Sequence, residues 1–221
     1  MPAARPDGGN SRREGLAPLV AAAADELGSA NAAREAGLPP CRRVIRMAGS
    51  AIRAIHRQQL DEAEAYLAES EAALREAQEA VVGFPRVAYA GFLHDAEKEY
   101  AEAALTAALV SGGKVPGHAD LHVEAQAWLN GLAEAASELR RHLLDRLREG
   151  QAEVAEGLLT AMEDAYELIV SLDFPDAVTG GLRRSADALR AVLERTRSDL
   201  TTTLLQFRLQ AALERRAPKE P

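Results

Sequence analysis

Apolar residues recur along this chain at three- and four-residue intervals, and no segment alternates apolar with polar positions over the length of a strand. That periodicity predicts an all-α fold of about seven helices. A capping box, Ser11 to Glu14, predicts a first helix over 11–36. Leu38-Pro39-Pro40 predicts its end, with Pro40 opening a second helix. In that helix Cys41, Ile45, Ala48, Ile52 and Ile55 form the inward stripe, and Arg42, Arg46, Arg53 and Arg57 run beside it. A third helix is expected over 61–82, ending at Gly83-Phe84-Pro85, and a fourth follows to about residue 110. Further helices are expected over 120–148, 151–172 and 176–215. Leu158, Met162, Ala165 and Ile169 are the inward set of the sixth. Leu182, Leu189, Val192, Leu193, Thr196, Leu200 and Phe207 are that of the last, whose start Gly180-Gly181 weakens. Gly131 sits inside the 120–148 helix, where glycine is destabilising, so a close approach by another helix is expected there. With no internal repeat and no long linker, the reading is one domain over 11–216, a disordered tail over 1–10 and a frayed end over 217–221.

Composition agrees with helix. Of 221 residues, 47% are apolar but only 4% are aromatic, and alanine supplies much of the apolar share. The single cysteine, Cys41, excludes an intramolecular disulfide and a cysteine metal site, and fits a reducing cytoplasm. A basic leader followed by GLAPLVAAAA loosely mimics a signal peptide. Asp7, Glu14, Pro18 and Asp25-Glu26 interrupt it, and no run is long enough to span a membrane. A net charge of −8 argues against nucleic acid until its distribution is considered. Between 36 and 60 there are five arginines, one histidine and no acid; between 61 and 80 there are seven acids and one arginine. The arginine stripe can pair with that acidic helix or contact phosphates, and long arginine side chains can do both.

The acidic residues carry the candidate chemistry. Asp95, Glu99 and Glu102 stand at i, i+4 and i+7, within roughly 60° of helical arc. Glu134 and Glu138 stand at i and i+4 on the 120–148 helix. Like charges at these spacings cost a few tenths of a kcal/mol per pair. Spacing alone leaves two readings open: solvated acidic faces, or carboxylates sharing a divalent cation. Hard oxygen ligands favour Mg²⁺ or Mn²⁺. Other chemistries drop away. There is no G-x-S-x-G, no Glu-x-x-His of a di-iron bundle, and no phosphate-loop pattern at Ser111 to Gly117. His94, His118 and His122 read as surface or capping residues.

These residues also carry a resemblance. KEYAEA (98–103) followed by WLNGLAEAASELRR (128–141), with CRRVIRMAGSAIRAIHR (41–57) before and LERTRSDLT (193–201) after, resembles the translin family in motif and order. It is closest to translin-associated factor X (TRAX) and its archaeal-type relatives. The resemblance implies a seven-helix fold, octameric shells enclosing nucleic acid, and a metal-dependent endoribonuclease acting on single-stranded RNA, with single-stranded DNA as a further ligand. It carries catalysis and metal binding onto Glu99, Glu102, Glu134 and Glu138. Asp95, an extra acid on the same face, and Arg141 are expected behind them, and the acid-free basic stretch is the reason to expect Arg42, Arg46, Arg53 and Arg57 on the nucleic acid. Two departures matter. Glu134 stands where TRAX has aspartate and translin an apolar residue, and Ser137 before Glu138 is translin-like. The alternatives are a translin-like binding shell without catalysis and a helical scaffold with solvated acids.

Overall fold

The computed structural model describes residues 8–216. Of the tails expected over 1–10 and 217–221, residues 1–7 and 217–221 lie outside the described residues, whereas 8–10 open a helix. Eight helical segments and no strand make up the described chain: α1 (Gly8–His56), α2 (Leu60–Ala80), α3 (Pro85–Ala88), α4 (Phe92–Ser111), α5 (Ala125–Arg148), α6 (Ala152–Val170), α7 (Asp176–Thr179) and α8 (Leu182–Arg216). Two of these, α3 and α7, are single turns. None is long and apolar enough to cross a membrane.

α1 departs most from expectation. It begins three residues before Ser11 and runs through Pro18, Pro39 and Pro40 without ending. Each internal proline removes a backbone hydrogen bond and crowds the preceding turn, so continuity needs compensation from tertiary packing. Neighbouring helices supply it. Pro40 is fully buried, and a Cβ added at Gly37 would lie 3.2 Å from Val81 Cγ1 and 3.3 Å from the Phe92 ring. The stretch around the two prolines is thus clamped against the end of α2 and the start of α4. The inward stripe is also shifted. Cys41, Val44, Ala48, Ala51 and Ile55 are buried, whereas Ile45 is exposed and Ile52 only half-buried. Small alanines line the interface because α1 lies close along α2.

The expected last helix divides at Gly180-Gly181. Their φ values, +60° and +89°, are in the left-handed region and cannot continue a right-handed helix. α7 therefore caps off before α8 begins. The expected 120–148 helix starts later, at Ala125, because Leu121 and Val123 are buried in an irregular approach segment.

α5 is the centre. It packs on α4, α6 and α8, while α1 covers α2 and α4 from the other side. Ala135, Ala136, Leu139 and Leu143 are fully buried along α5, in one core with Ala101 and Leu105 of α4 and Met162 of α6. Leu158, Met162, Ala165 and Ile169 are all buried, as expected. On α8 burial stops at Leu200, and Phe207 is exposed. Leu205, Leu209 and Leu213 on α8 and Leu16, Leu19, Val20 and Leu27 on α1 are exposed too. The distal parts of both long helices lie outside the core formed by this chain.

Candidate metal centre

Gly131 brings α4 and α5 together. A Cβ there would lie 2.9 Å from Ala101 Cβ and 3.0 Å from both the Glu102 amide nitrogen and the Lys98 carbonyl oxygen. Only glycine permits that approach without a shift of backbone, in line with the expectation from its place inside the helix. One turn on from this point, Glu134 of α5 faces Glu99 and Glu102 of α4. Oxygens of the three carboxylates lie within 4.8 Å of one another.

Glu102 is the buried member, 9% exposed. No donor among the described residues reaches its carboxylate. Its pKa is pushed up to about 8, first by burial, then by the charges of Glu134, Glu99 and Glu138, with Lys98 offsetting only part. Glu99 and Glu134 are partly open to solvent. Lys98 is tied to the same group. Its Nζ donates to both Glu134 carboxylate oxygens at 2.8 Å and lies 3.4 Å from Glu99 Oε1. Burial pulls the Lys98 pKa down, but the hydrogen bond and charge of Glu134, with the charge of Glu99, outweigh it and leave it raised.

Glu138 lies one turn beyond Glu134 and outside that tight group of three. Its Oε2 is 2.6 Å from Nε2 of His56, whose side chain is 4% exposed. An ionised carboxylate can only accept, so the proton of this bond belongs on Nε2, and His56 Nδ1 is then left buried without a partner. Asp95 is exposed and stands apart from the three carboxylates. Arg141 is exposed and makes no ion pair among the described residues. It lines a shallow depression with Ser137, Glu138 and Arg140.

Lys98 and His56 went unassigned in the sequence. Lys98 had a signal: it is one of three lysines in the chain and interrupts an acidic face. His56 had only its place beside the inward Ile55, and its partner is 82 residues away. Glu97, also unassigned, is a buried structural acid. It accepts from Gln78 Nε2 at 2.9 Å and from the Glu124 amide at 3.3 Å, and burial is the main cause of its raised pKa.

The arginine stripe is exposed, and Arg42, Arg46, Arg53 and Arg57 form no ion pair among the described residues. The pairing with the acidic helix is made instead by Arg43, to Glu76. The stripe follows α1 from Arg42 to Arg53, with Arg57 just past its end at His56, the residue that meets Glu138. The other motif residues are structural. Asn130 donates to the Thr179 carbonyl and accepts from Ser185 Oγ, each at 2.8 Å. Arg140 reaches Thr196 Oγ1 at 3.0 Å and Asp199 Oδ2 at 2.7 Å on α8.

The donor set suits a hard divalent cation. It contains only carboxylate oxygens, and ligands near 2.1 Å from such an ion put opposite oxygens about 4.2 Å apart. Small side-chain adjustments from the present spacing reach that geometry. Glu102, with no protein donor and its oxygens still in reach of solvent, stands beside two other carboxylates and is the one on which a cation would act most.

No family model matches the chain. An uncharacterized protein of Methanocaldococcus jannaschii is 28% identical over 191 residues, 86% of this chain and 84% of that protein. Among solved structures, AfC3PO in complex with duplex RNA is similar at a TM-score of 0.78 and 33% identity, over 85% of this chain and 97% of that one. The crystal structure of AfC3PO gives 0.77 and 34% over the same shares. The structure of apo-NeC3PO, at 0.73 and 19% over 84% of this chain and 97% of that one, supports the fold alone.

Proposed function

The chain belongs to the translin family, and from that premise we propose that it binds RNA and cleaves it as an endoribonuclease dependent on Mg²⁺ or Mn²⁺. Glu99, Glu102 and Glu134 would hold the ion, with Glu138 completing the carboxylate set. The observation that carries this reading is Glu102, buried, without a donor and crowded by two other carboxylates. The ion, when bound, would polarise a phosphoryl oxygen and lower the pKa of an attacking water. The chain's own groups supply the rest. Glu138, held by His56 and partly exposed, is the carboxylate we assign to orient that water or take its proton. Arg42, Arg46, Arg53 and Arg57 contact phosphates and hold the strand. Asp95 and Arg141 lie further out and tune the field of the site.

The substrate we propose is single-stranded RNA. Because AfC3PO is described in complex with duplex RNA, the test uses both forms. The full chain is incubated with labelled single-stranded and duplex RNA, with Mg²⁺ and with chelator, beside Glu102→Gln. Cleavage of the single strand that needs Mg²⁺ and is lost in the variant is the expected result. Cleavage unaffected by chelator or by the substitution would end this reading. One observation favours a second reading, RNA binding without cleavage: the Lys98 ammonium already neutralises Glu134. Intact binding with no cleavage in any metal would select it. We also propose self-association to an octamer, which would cover the exposed leucines of α1 and α8. Light scattering showing a monomer at micromolar concentration would contradict it.

A further inference from the structure

Among the described residues the Lys98 ammonium bonds only to carboxylates of the cluster. Its side chain is 21% exposed, and its charge is shared between Glu134 and Glu99. The ammonium lies 2.8 Å from both oxygens of Glu134, so it fills the chelating mouth of that carboxylate. A divalent cation using Glu134 would meet a like charge in the same space. Glu102, meanwhile, receives no bond from Lys98. The lysine is thus a partial substitute for an ion: it neutralises the two more open carboxylates and leaves the buried one. Lysine suits an exchangeable role, because its ammonium is a compact, strongly hydrated charge on a flexible stem. Its partial exposure leaves a route outward.

We propose that Lys98 is a counter-cation built into the carboxylate cluster, which occupies Glu134 until a divalent ion enters and must swing out for that ion to bind. This rests on the metal-binding reading above and adds a competitor to it. The consequence is that the wild-type chain binds divalent ions more weakly than its carboxylates alone would allow.

The test is binding rather than turnover. Mn²⁺, followed by its electron paramagnetic resonance signal, is titrated without RNA into full-length wild type, Lys98→Met, Lys98→Arg and Glu102→Gln. Lys98→Met should bind Mn²⁺ at least about tenfold more tightly, since one unit charge at this range is worth that much even when screened. Lys98→Arg, which keeps the charge, should show no gain. Mn²⁺ should also raise the melting temperature of Lys98→Met by more than that of wild type. Equal or weaker binding by Lys98→Met, with clear binding by wild type, overturns the lysine proposal and leaves the metal reading standing. If neither binds, or if Glu102→Gln binds as well as wild type, the metal reading itself falls and the lysine proposal with it. If Lys98→Met fails to fold even in saturating Mn²⁺, Lys98 is a fixed structural ion pair and the proposal is wrong.

Discussion

Two polar clusters sit four residues apart on α5, and they are built on opposite principles. Around Asn130 the hydrogen bonding is complete. Its amide donates to the Gln126 and Thr179 carbonyls, and its oxygen accepts from Ser185, so α5 is tied to the α7–α8 junction. Around Glu134 it is not. Three carboxylates crowd one ammonium that bonds to only two of them, and Glu102, the most buried, has no protein donor and leaves its oxygens to solvent. A satisfied buried network holds a fold together, whereas like charges crowded around one largely desolvated carboxyl carry a cost that the fold alone does not explain. The contrast separates the WLN part of the motif, which is architecture, from the acidic part, which we read as chemistry.

The strongest way to break this contrast is Glu102→Gln. RNA cleavage should fall by about 100-fold or more, while stability in chelator holds or rises. The pH dependence gives the sign. The folded-state pKa of Glu102 is raised to about 8 from an ordinary value of 4.5. Below that ordinary value both states are protonated and stability is undiminished. As pH rises towards 8 the unfolded chain gives up its proton first, so folded stability declines, on the order of a few kcal/mol in all. Thermal melts in chelator from pH 5 to 8 should show that decline in wild type and a flatter profile in Glu102→Gln. A variant that melts earlier than wild type at pH 8 would make Glu102 structural, like Asn130.

Asn130→Ala sharpens the other side. It leaves Ser185 and the Thr179 carbonyl without partners, and denaturant unfolding should show stability reduced by about 2–3 kcal/mol. Cleavage per folded molecule should be unchanged. Gly131→Ala tests what joins the two clusters. The added methyl meets backbone of α4, so overpacking of about 1–3 kcal/mol opposes a gain in helix propensity of under about 1 kcal/mol. Net destabilisation should be modest, but Mn²⁺ affinity should fall because Glu134 moves away from Glu102. The smallest expected effect is that of Arg57→Ala. Folding should not change, and RNA affinity should fall with a salt-dependence slope reduced by about one for each phosphate no longer neutralised.

The acidic half of this contrast was legible in the sequence because helical spacing alone stacks Glu99 with Glu102 and Glu134 with Glu138. Gly131 foretold the close approach that makes them converge. Partners supplied from elsewhere in the chain were not legible. Lys98 bonds to a residue 36 positions away and His56 to one 82 away, and no local pattern encodes either. Nor was the continuity of α1. Two adjacent prolines are a sound signal for a break, and only the packing of Gly37 and Pro40 against neighbouring helices overrides it. The inward stripe of α1 was misread by one position because Val44 and Ala51, rather than Ile45 and Ile52, are the buried residues. Where helices lie this close, the smaller side chain is favoured over the more hydrophobic one.

The uninterrupted α1 has a mechanical consequence. At about 1.5 Å per residue its 49 residues form a rod of about 73 Å. Its C-terminal third is bolted to α2 and α4, and its N-terminal half stands clear. Pro39 and Pro40 lack backbone donors but are held against α2 and α4, so the free part of the rod begins on the N-terminal side of Ala33, the first buried residue along it among those described. From there to Leu16 is about 25 Å of helix. A bend of about 10° just before Ala33 therefore carries Leu16 through about 4 Å. Arg42 to Arg57 stay seated throughout. The chain can thus adapt the reach of its distal leucines while the carboxylates at the other end keep their spacing.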